Sequence, residues 1–345
     1  MNKIQIVNWI LTRRCNLRCD YCRLVRDYKT KPGIYPNMRY YHEHEMSTES
    51  VIYGLEKLKE HNPDCFMIFY GGEPTLREDL YEIVNYCNNE NIAYTVISNN
   101  IDEKKTEELL SKVDYLQGYT ASVDPIIFIE GANSDVARKS LQGLQKLTQL
   151  KEKIHDVVAE ITVTNDNYQF LYPLVKELTN RGINSDITFI DISKSEYYDF
   201  SNIEDEKLLV NKSNELKDIL DKIIDEKLNV HMRDTLLSMT YDYLPSEYDC
   251  KLDKDFHTMC VDADGCLRLC LRLRAEYLAL NFTILNVLDH NAEINKNLKK
   301  SLVADKKKYC KLCNHTCYMM GEMISNDKET SDNLIHSNVR NEKGE

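Results

Sequence analysis

The run Ile6-Val7-Asn8-Trp9-Ile10-Leu11 and, just beyond it, Cys15-Asn16-Leu17-Arg18-Cys19-Asp20-Tyr21-Cys22 set the reading of the whole chain. A short apolar run rich in large side chains reads as a buried strand. Three cysteines directly past its end put three thiols on one tight loop at a strand C-terminus. Five more runs of the same kind follow, at residues 65–70, 93–98, 115–123, 158–164 and 186–192. Between them the apolar spacing turns helical, over 47–61 (Val51, Leu55, Leu58), 80–90, 104–112, 136–150 and 171–181, the last stopped by Gly182. This alternation predicts the α/β class: a partial (β/α)6 TIM-like barrel of parallel strands, with ligands at the C-terminal strand ends.

After residue 192 the pattern changes to a polar loop, 193–206, and then a charged amphipathic helix over 208–228. The expected organisation is a barrel over 1–195, a linker helix over 196–229 and a C-terminal cysteine-rich auxiliary cluster domain over 230–325. The tail 326–345 lacks apolar periodicity and is expected to be disordered. Residues 230–325 hold seven of the 12 cysteines but few periodic segments, the mark of a region that depends on metal for its fold.

Composition bounds the rest. At 345 residues and 42% hydrophobic the chain can build a core. Its net charge of −12 disfavours a phosphate-backbone partner, so no nucleic acid is expected, and Lys299, Lys300, Lys306, Lys307 and Lys308 read as a solvated face. No apolar run is long enough for a membrane helix, and residues 1–8 lead into the first strand without a signal-peptide pattern. The expectation is a cytoplasmic protein with no membrane partner. In a reducing compartment 12 cysteines point to metal or cluster ligation rather than disulfides.

Cys15, Cys19 and Cys22 would leave one iron of a four-iron, four-sulfur cluster open to a substrate or cofactor. The competing reading is structural zinc, which prefers four protein ligands; a zinc-stabilised binding protein without catalysis is the non-enzyme alternative. The spacing CxxxCxxC after strand one resembles the signature of radical S-adenosylmethionine (SAM) enzymes. That resemblance implies a 4Fe-4S cluster whose open iron chelates SAM, and reductive cleavage to methionine and a 5′-deoxyadenosyl radical that abstracts hydrogen from a substrate. It also implies that Tyr21 lies against the adenine, where the alternative is a core tyrosine.

The second strand ends in Phe69-Tyr70-Gly71-Gly72-Glu73-Pro74-Thr75, by itself a strand-to-helix turn whose glycines permit close backbone approach. Its position resembles the GGE motif of the same family, which assigns Gly71, Gly72 and Glu73 to the SAM amino group. Ser98 and Asn99, Ser122 and Asp124, and Thr164 and Asn165 stand at the next three strand tips, where the family binds the ribose and methionine carboxylate. Each is also a common cap or turn residue. No glycine-rich adenine-binding pattern stands on the fifth strand.

In the C-terminal part, Asp262-Ala263-Asp264-Gly265 predicts a hairpin turn between Cys260 and Cys270. With Cys310-Lys311-Leu312-Cys313 further on, a four-thiolate cage for zinc or iron–sulfur forms. The order resembles the twitch or reduced SPASM auxiliary-cluster domain, with Cys250, Cys270, Cys310 and Cys313 as ligands of a second iron–sulfur cluster and Cys317 able to replace Cys250. Cys260 and Cys266 read as strand residues, Cys65 and Cys87 as buried thiols, and His315 as a histidine that binds no metal. By resemblance the substrate is a small sugar- or nucleoside-like molecule, the alternative being a ribosomal peptide that is crosslinked, epimerised or oxidised. The start of the chain at strand one, with no fused peptide-recognition domain, favours the small molecule. The auxiliary cluster would anchor the substrate or accept an electron, and a flavodoxin or ferredoxin would supply the reductant.

Overall fold

The computed structural model describes residues 6–19, 21–22, 43–128, 135–154, 156–190, 208, 210–211, 213–231, 258–265 and 267–268. Six parallel strands run in sequence order: β1 (Ile6–Thr12), β2 (Phe66–Gly71), β3 (Tyr94–Ser98), β4 (Gly118–Ser122), β5 (Asp156–Val163) and β6 (Asn184–Phe189). The helices α1 (Thr48–His61), α2 (Leu80–Asn89), α3 (Glu103–Lys112), α4 (Asp135–Leu150) and α5 (Leu171–Asn180) cross over between them, and α6 (Asn214–Asp225) follows β6. The result is the expected α/β half-barrel.

Period-two alternation decides which side chains meet the helices. Val7, Trp9 and Leu11 of β1, Met67 and Phe69 of β2, Tyr94 and Val96 of β3 and Tyr119 of β4 join one buried core with Leu55 and Leu58 of α1 and Ile83 of α2. The rings of Trp9, Phe69 and Tyr94 meet in tilted contacts across three strands, with centroids 6.4 and 5.9 Å apart. Asn8, Tyr70, Thr120, Glu160 and Asp186, out of step with these, occupy the opposite, inner face.

The sequence reading needs four adjustments. β4, expected over 115–123, begins only at Gly118. β5 and β6 begin two residues earlier than expected, because Asp156 and Asn184, polar residues on the inner face, still pair in the ladder with Gly118 and Val158. The helix expected over 208–228 starts only at Asn214, where the Ser213 side chain accepts a hydrogen bond from Leu216 N at 3.0 Å and caps it. The sheet also has two more strands. The hairpin expected around Asp262–Gly265 forms as β7 (Thr258–Val261) and β8 (Leu267–Arg268), and β7 pairs in parallel with β1. The order is therefore β6-β5-β4-β3-β2-β1-β7-β8.

A buried ion pair clamps that hairpin. Arg13, just after β1, donates from Nε and from its terminal nitrogen to the two carboxylate oxygens of Asp262, both at 2.7 Å, with the side chains 3% and 0% exposed. Met46 N donates to Ala263 O at 2.8 Å, and buried Arg77 reaches Leu11 O and Met46 O at 3.0 and 3.1 Å.

Cys250, Cys266, Cys270, Cys310, Cys313, Cys317 and His315, the lysine-rich stretch and the tail 326–345 lie outside the described residues. Cys65 and Cys87 are core thiols, as expected, and Cys260 is a buried residue of β7. Among the described residues no helix is long and apolar enough to cross a membrane.

Candidate functional site

The loop carrying Cys15, Cys19 and Cys22 is laid against the end of β2 by two backbone bonds, Gly72 N to Thr12 O at 2.8 Å and Glu73 N to Arg14 O at 2.7 Å. Here the two glycines act. A Cβ on Gly71, whose φ is +142°, would sit 2.2 Å from Thr12 O, and one on Gly72 would sit 2.0 Å from Arg14 O. The close approach that the sequence reading reserved for a ligand is thus made to the cysteine loop itself. Cys22 N donates to Cys19 O at 3.0 Å, and all three thiols are partly buried.

Glu73 is the hub of the strand tips. It is 1% exposed. Its Oε1 accepts from Thr75 N (3.1 Å), Thr75 Oγ1 (2.7 Å) and Ser98 Oγ (2.9 Å), and its Oε2 from Asn99 N (2.7 Å). Burial pushes the carboxyl above its usual range, and those four donors oppose the shift. No Lys or Arg pairs with it among the described residues. Asn99 continues the chain of contacts from its Nδ2 to Asn16 Oδ1 (2.9 Å) and Cys15 Sγ (3.7 Å). The candidates Glu73, Ser98 and Asn99 are therefore brought together against Cys15.

Glu73→Gln should destabilise the chain by about 1–3 kcal/mol, because whichever way the amide turns, its NH2 faces a backbone or hydroxyl donor and leaves one unsatisfied. Urea unfolding checks this, and an unchanged midpoint would mean that the tip re-forms around the amide.

On the other side of the loop, Tyr21 donates from its hydroxyl to Asp124 Oδ2 at 2.5 Å. Lys139 of α4 donates to the same hydroxyl at 2.6 Å and pairs with Asp124 at 3.0 Å, its Nζ 5.2 Å from the Tyr21 ring centroid. Asp124 is fully buried and also accepts from Thr162 N at 2.8 Å. Tyr21 and Asp124 thus meet, through a lysine that the sequence reading missed. The available signal was its place in the row Lys139, Gly143, Lys146, Leu150 on the buried side of α4.

Ser122 pairs in the ladder with Glu160, and Glu160 with Asp186, so the three share one row of the inner face. Glu160 Oε1 accepts from Thr188 Oγ1 at 2.9 Å, and His231 Nδ1 lies 2.8 Å from Asp186 Oδ1. Burial, and then the charge of Asp186, push the Glu160 carboxyl upward. Burial alone would lower the imidazole of His231, but the carboxylate of Asp186, with the charges of Asp156 and Glu160, outweighs it and raises it to about 9. Thr164 and Asn165 serve a turn instead, Thr164 N donating to Asn167 Oδ1 at 2.8 Å and Asn165 N to Leu208 O at 2.9 Å.

The thiols suit a cationic cluster. Burial pushes the Cys15 thiol up, with the charges of Glu73 and Cys22 adding to it and the Leu17 N–H opposing it. Burial pushes Cys19 up to about 11 against the pull of Lys139. Soft donors that resist ionisation in a negative surrounding become thiolates when metal cations supply the missing positive charge. Among the described residues no three His, Cys, Asp or Glu side chains form a site for a single metal ion. A multi-iron cluster does not ask for one, since each iron takes its own thiolate.

Comparison with known proteins gives the same direction. A family model described as "Radical SAM superfamily" matches residues 9–187, just over half of the 345. The AdoMet-dependent heme synthase of Oleidesulfovibrio alaskensis is 25% identical over 180 residues, covering 52% of this chain and 43% of that protein. Mycofactocin maturase MftC of Mycobacterium tuberculosis is 32% identical over 155 residues, covering 40% of this chain and 34% of that protein. The chain spans less than half the length of both relatives. Among solved structures, Streptococcus suis SuiB bound to S-adenosylmethionine is similar over 86% of this chain and 68% of its own, with a TM-score of 0.55 and 16% identity, a likeness of fold.

Proposed function

This chain belongs to the radical SAM superfamily, and from that premise we propose that it is an enzyme that cleaves SAM reductively and abstracts hydrogen from a substrate held in the half-barrel. One observation carries the reading: the loop of Cys15, Cys19 and Cys22 is joined through Asn99 to the Glu73 hub at the tips of β2 and β3. When bound, a 4Fe-4S cluster and SAM supply the radical chemistry of the family. The chain's own residues hold and orient. Cys15, Cys19 and Cys22 ligate the cluster, and Glu73, with four donors and no cationic partner among the described residues, offers its charge to the SAM ammonium. Tyr21, fixed by Asp124 and Lys139, and Ser98 and Ser122 at their strand tips line the rest of the SAM site, with Gly71 and Gly72 seating the cysteine loop beside Glu73.

For the substrate we favour a small sugar- or nucleoside-like molecule. The inner face carries Thr120, Ser122, Glu160, Thr188, Asp186 and His231, groups suited to several hydroxyls or amines. A peptide substrate is the second reading, favoured by the similarity to a maturase. The cysteines of residues 230–325 complete the proposal as an auxiliary domain, with Cys250, Cys270, Cys310 and Cys313, or Cys317 in place of Cys250, holding a second iron–sulfur cluster. An external one-electron donor of the flavodoxin or ferredoxin kind supplies the reductant.

Anaerobic reconstitution tests the proposal. About eight irons per chain are expected from two four-iron centres, with 5′-deoxyadenosine formed from SAM under dithionite. A colourless zinc protein that leaves SAM intact overturns the enzyme reading. Four irons with zinc at the distal cysteines removes only the second cluster. Mass spectrometry of reactions with nucleosides and sugar derivatives against reactions with peptides separates the two substrate readings.

A further inference from the structure

We propose that Asn99 sets the reduction potential of the cluster at Cys15 by donating a hydrogen bond from its amide to the Cys15 sulfur. This rests on the reading of Cys15 as a cluster ligand and adds a role for Asn99 beyond lining a SAM site.

The contacts fix the direction of the amide. Asn99 Oδ1 accepts from Ile101 N at 2.9 Å, so its oxygen is committed away from the loop and its NH2 faces it. One hydrogen goes to Asn16 Oδ1 at 2.9 Å and the other to Cys15 Sγ at 3.7 Å. The backbone of the same residue is anchored by Asn99 N to Glu73 Oε2 at 2.7 Å, and the residue is 8% exposed, so the donor is held in place and shielded from water. Leu17 N also reaches Cys15 Sγ, at 3.4 Å. Among the described residues no donor reaches the sulfur of Cys19 or Cys22, whereas two, Asn99 Nδ2 and Leu17 N, reach that of Cys15.

The physical effect has a definite sign. A donor at a ligating thiolate draws electron density from the sulfur and stabilises the more negative, reduced state of the cluster. The charge of Glu73 acts on Cys15 in the opposite sense. Asn99 therefore offsets, at the sulfur, the nearby carboxylate that its own backbone helps to hold. Lys139 acts at Cys19 through its charge alone, while its own hydrogen bonds go to Tyr21 and Asp124.

The test is a redox titration of the anaerobically reconstituted full chain without SAM, followed by electron paramagnetic resonance. The loop's signal is identified as the one that Cys15→Ala removes. Asn99→Ala should shift the midpoint to more negative potential, by about a tenfold change in the ratio of reduced to oxidised cluster at a fixed applied potential, about 59 mV for one electron. Asn99→Asp keeps the shape and the acceptor for Ile101 N but adds negative charge beside the sulfur, so it should shift the midpoint further in the same direction. Iron content should stay at the wild-type value in both. Unchanged midpoints in variants that retain their iron overturn the proposal. Loss of the loop's iron from both variants also overturns it, showing that Asn99 only holds the loop. A wild-type protein with no reducible signal that depends on Cys15 overturns instead the reading on which it rests.

Discussion

Alanine at Cys15, at Cys19 or at Cys22 should abolish formation of 5′-deoxyadenosine and leave the chain folded. The three thiols sit on a partly buried loop and none belongs to the hydrophobic core, so removing one opens no core cavity. The loop's position is set by other groups, the bonds of Gly72 and Glu73 to Thr12 and Arg14 and the Arg13–Asp262 pair. A change of stability within about 1 kcal/mol is therefore expected. Catalysis has no such redundancy, because with only two thiolates the loop cannot hold a four-iron cluster with one open iron. The contrast is Cys87→Ala: this thiol is fully buried in the core, far from any ionised role with its pKa pushed well up by burial, and its loss should leave cleavage in place. Chromatography of the nucleoside products from anaerobic reactions, with melting curves on the same preparations, checks both halves. Normal cleavage in any one of the three loop variants removes the ligand assignment.

The βα period and the cysteine loop were legible because both are local. Each strand is written as a short apolar run, each crossover helix as a stripe at i, i+3, i+4, and the three cysteines fall within eight residues. The turn at Asp262–Gly265 was legible for the same reason. What could not be read is where these pieces meet. The hairpin's docking on β1 joins residues about 250 positions apart, and nothing in a four-residue strand announces its parallel neighbour. Glu73 reads as a carboxylate beside two glycines, while three of its four donors belong to groups whose direction only the folded tips decide. Lys139 is harder still: a lysine on an amphipathic helix is normally solvated, and only the meeting of α4 with Asp124 and Tyr21 gives this one a buried partner.

The site thus depends on charge held out of water on both sides of the cysteine loop. Tyr21, Asp124 and Lys139 lock its far end, and the Arg13–Asp262 pair locks its root two residues before Cys15. The second lock is an ion pair, and its carboxylate, Asp262, lies between Cys250 and Cys270 in sequence.

Asp262→Ala should accordingly be among the most destabilising single changes available in the chain. It leaves the guanidinium of Arg13, 3% exposed, without its bidentate partner, and breaking a buried pair from one side costs about 3–5 kcal/mol. Asp262 also accepts from Ala263 N at 2.8 Å within the turn, so the hairpin loses an internal bond as well. Asp262→Asn, which keeps one acceptor oxygen but not the charge, should fall between Asp262→Ala and wild type. The double change Arg13→Met with Asp262→Leu should recover much of the loss, because two apolar side chains strand no charge. Trp9 is the only tryptophan of the chain and is fully buried on β1, the strand that β7 pairs with, so its fluorescence in urea reports this region directly. Iron content should fall with stability in Asp262→Ala, since Arg13 leads into the ligand loop. If the urea midpoint of Asp262→Ala matches wild type, then water reaches the pair and the clamp does not hold the loop. If the double variant is no better than Asp262→Ala, the loss comes from the turn rather than from the stranded guanidinium.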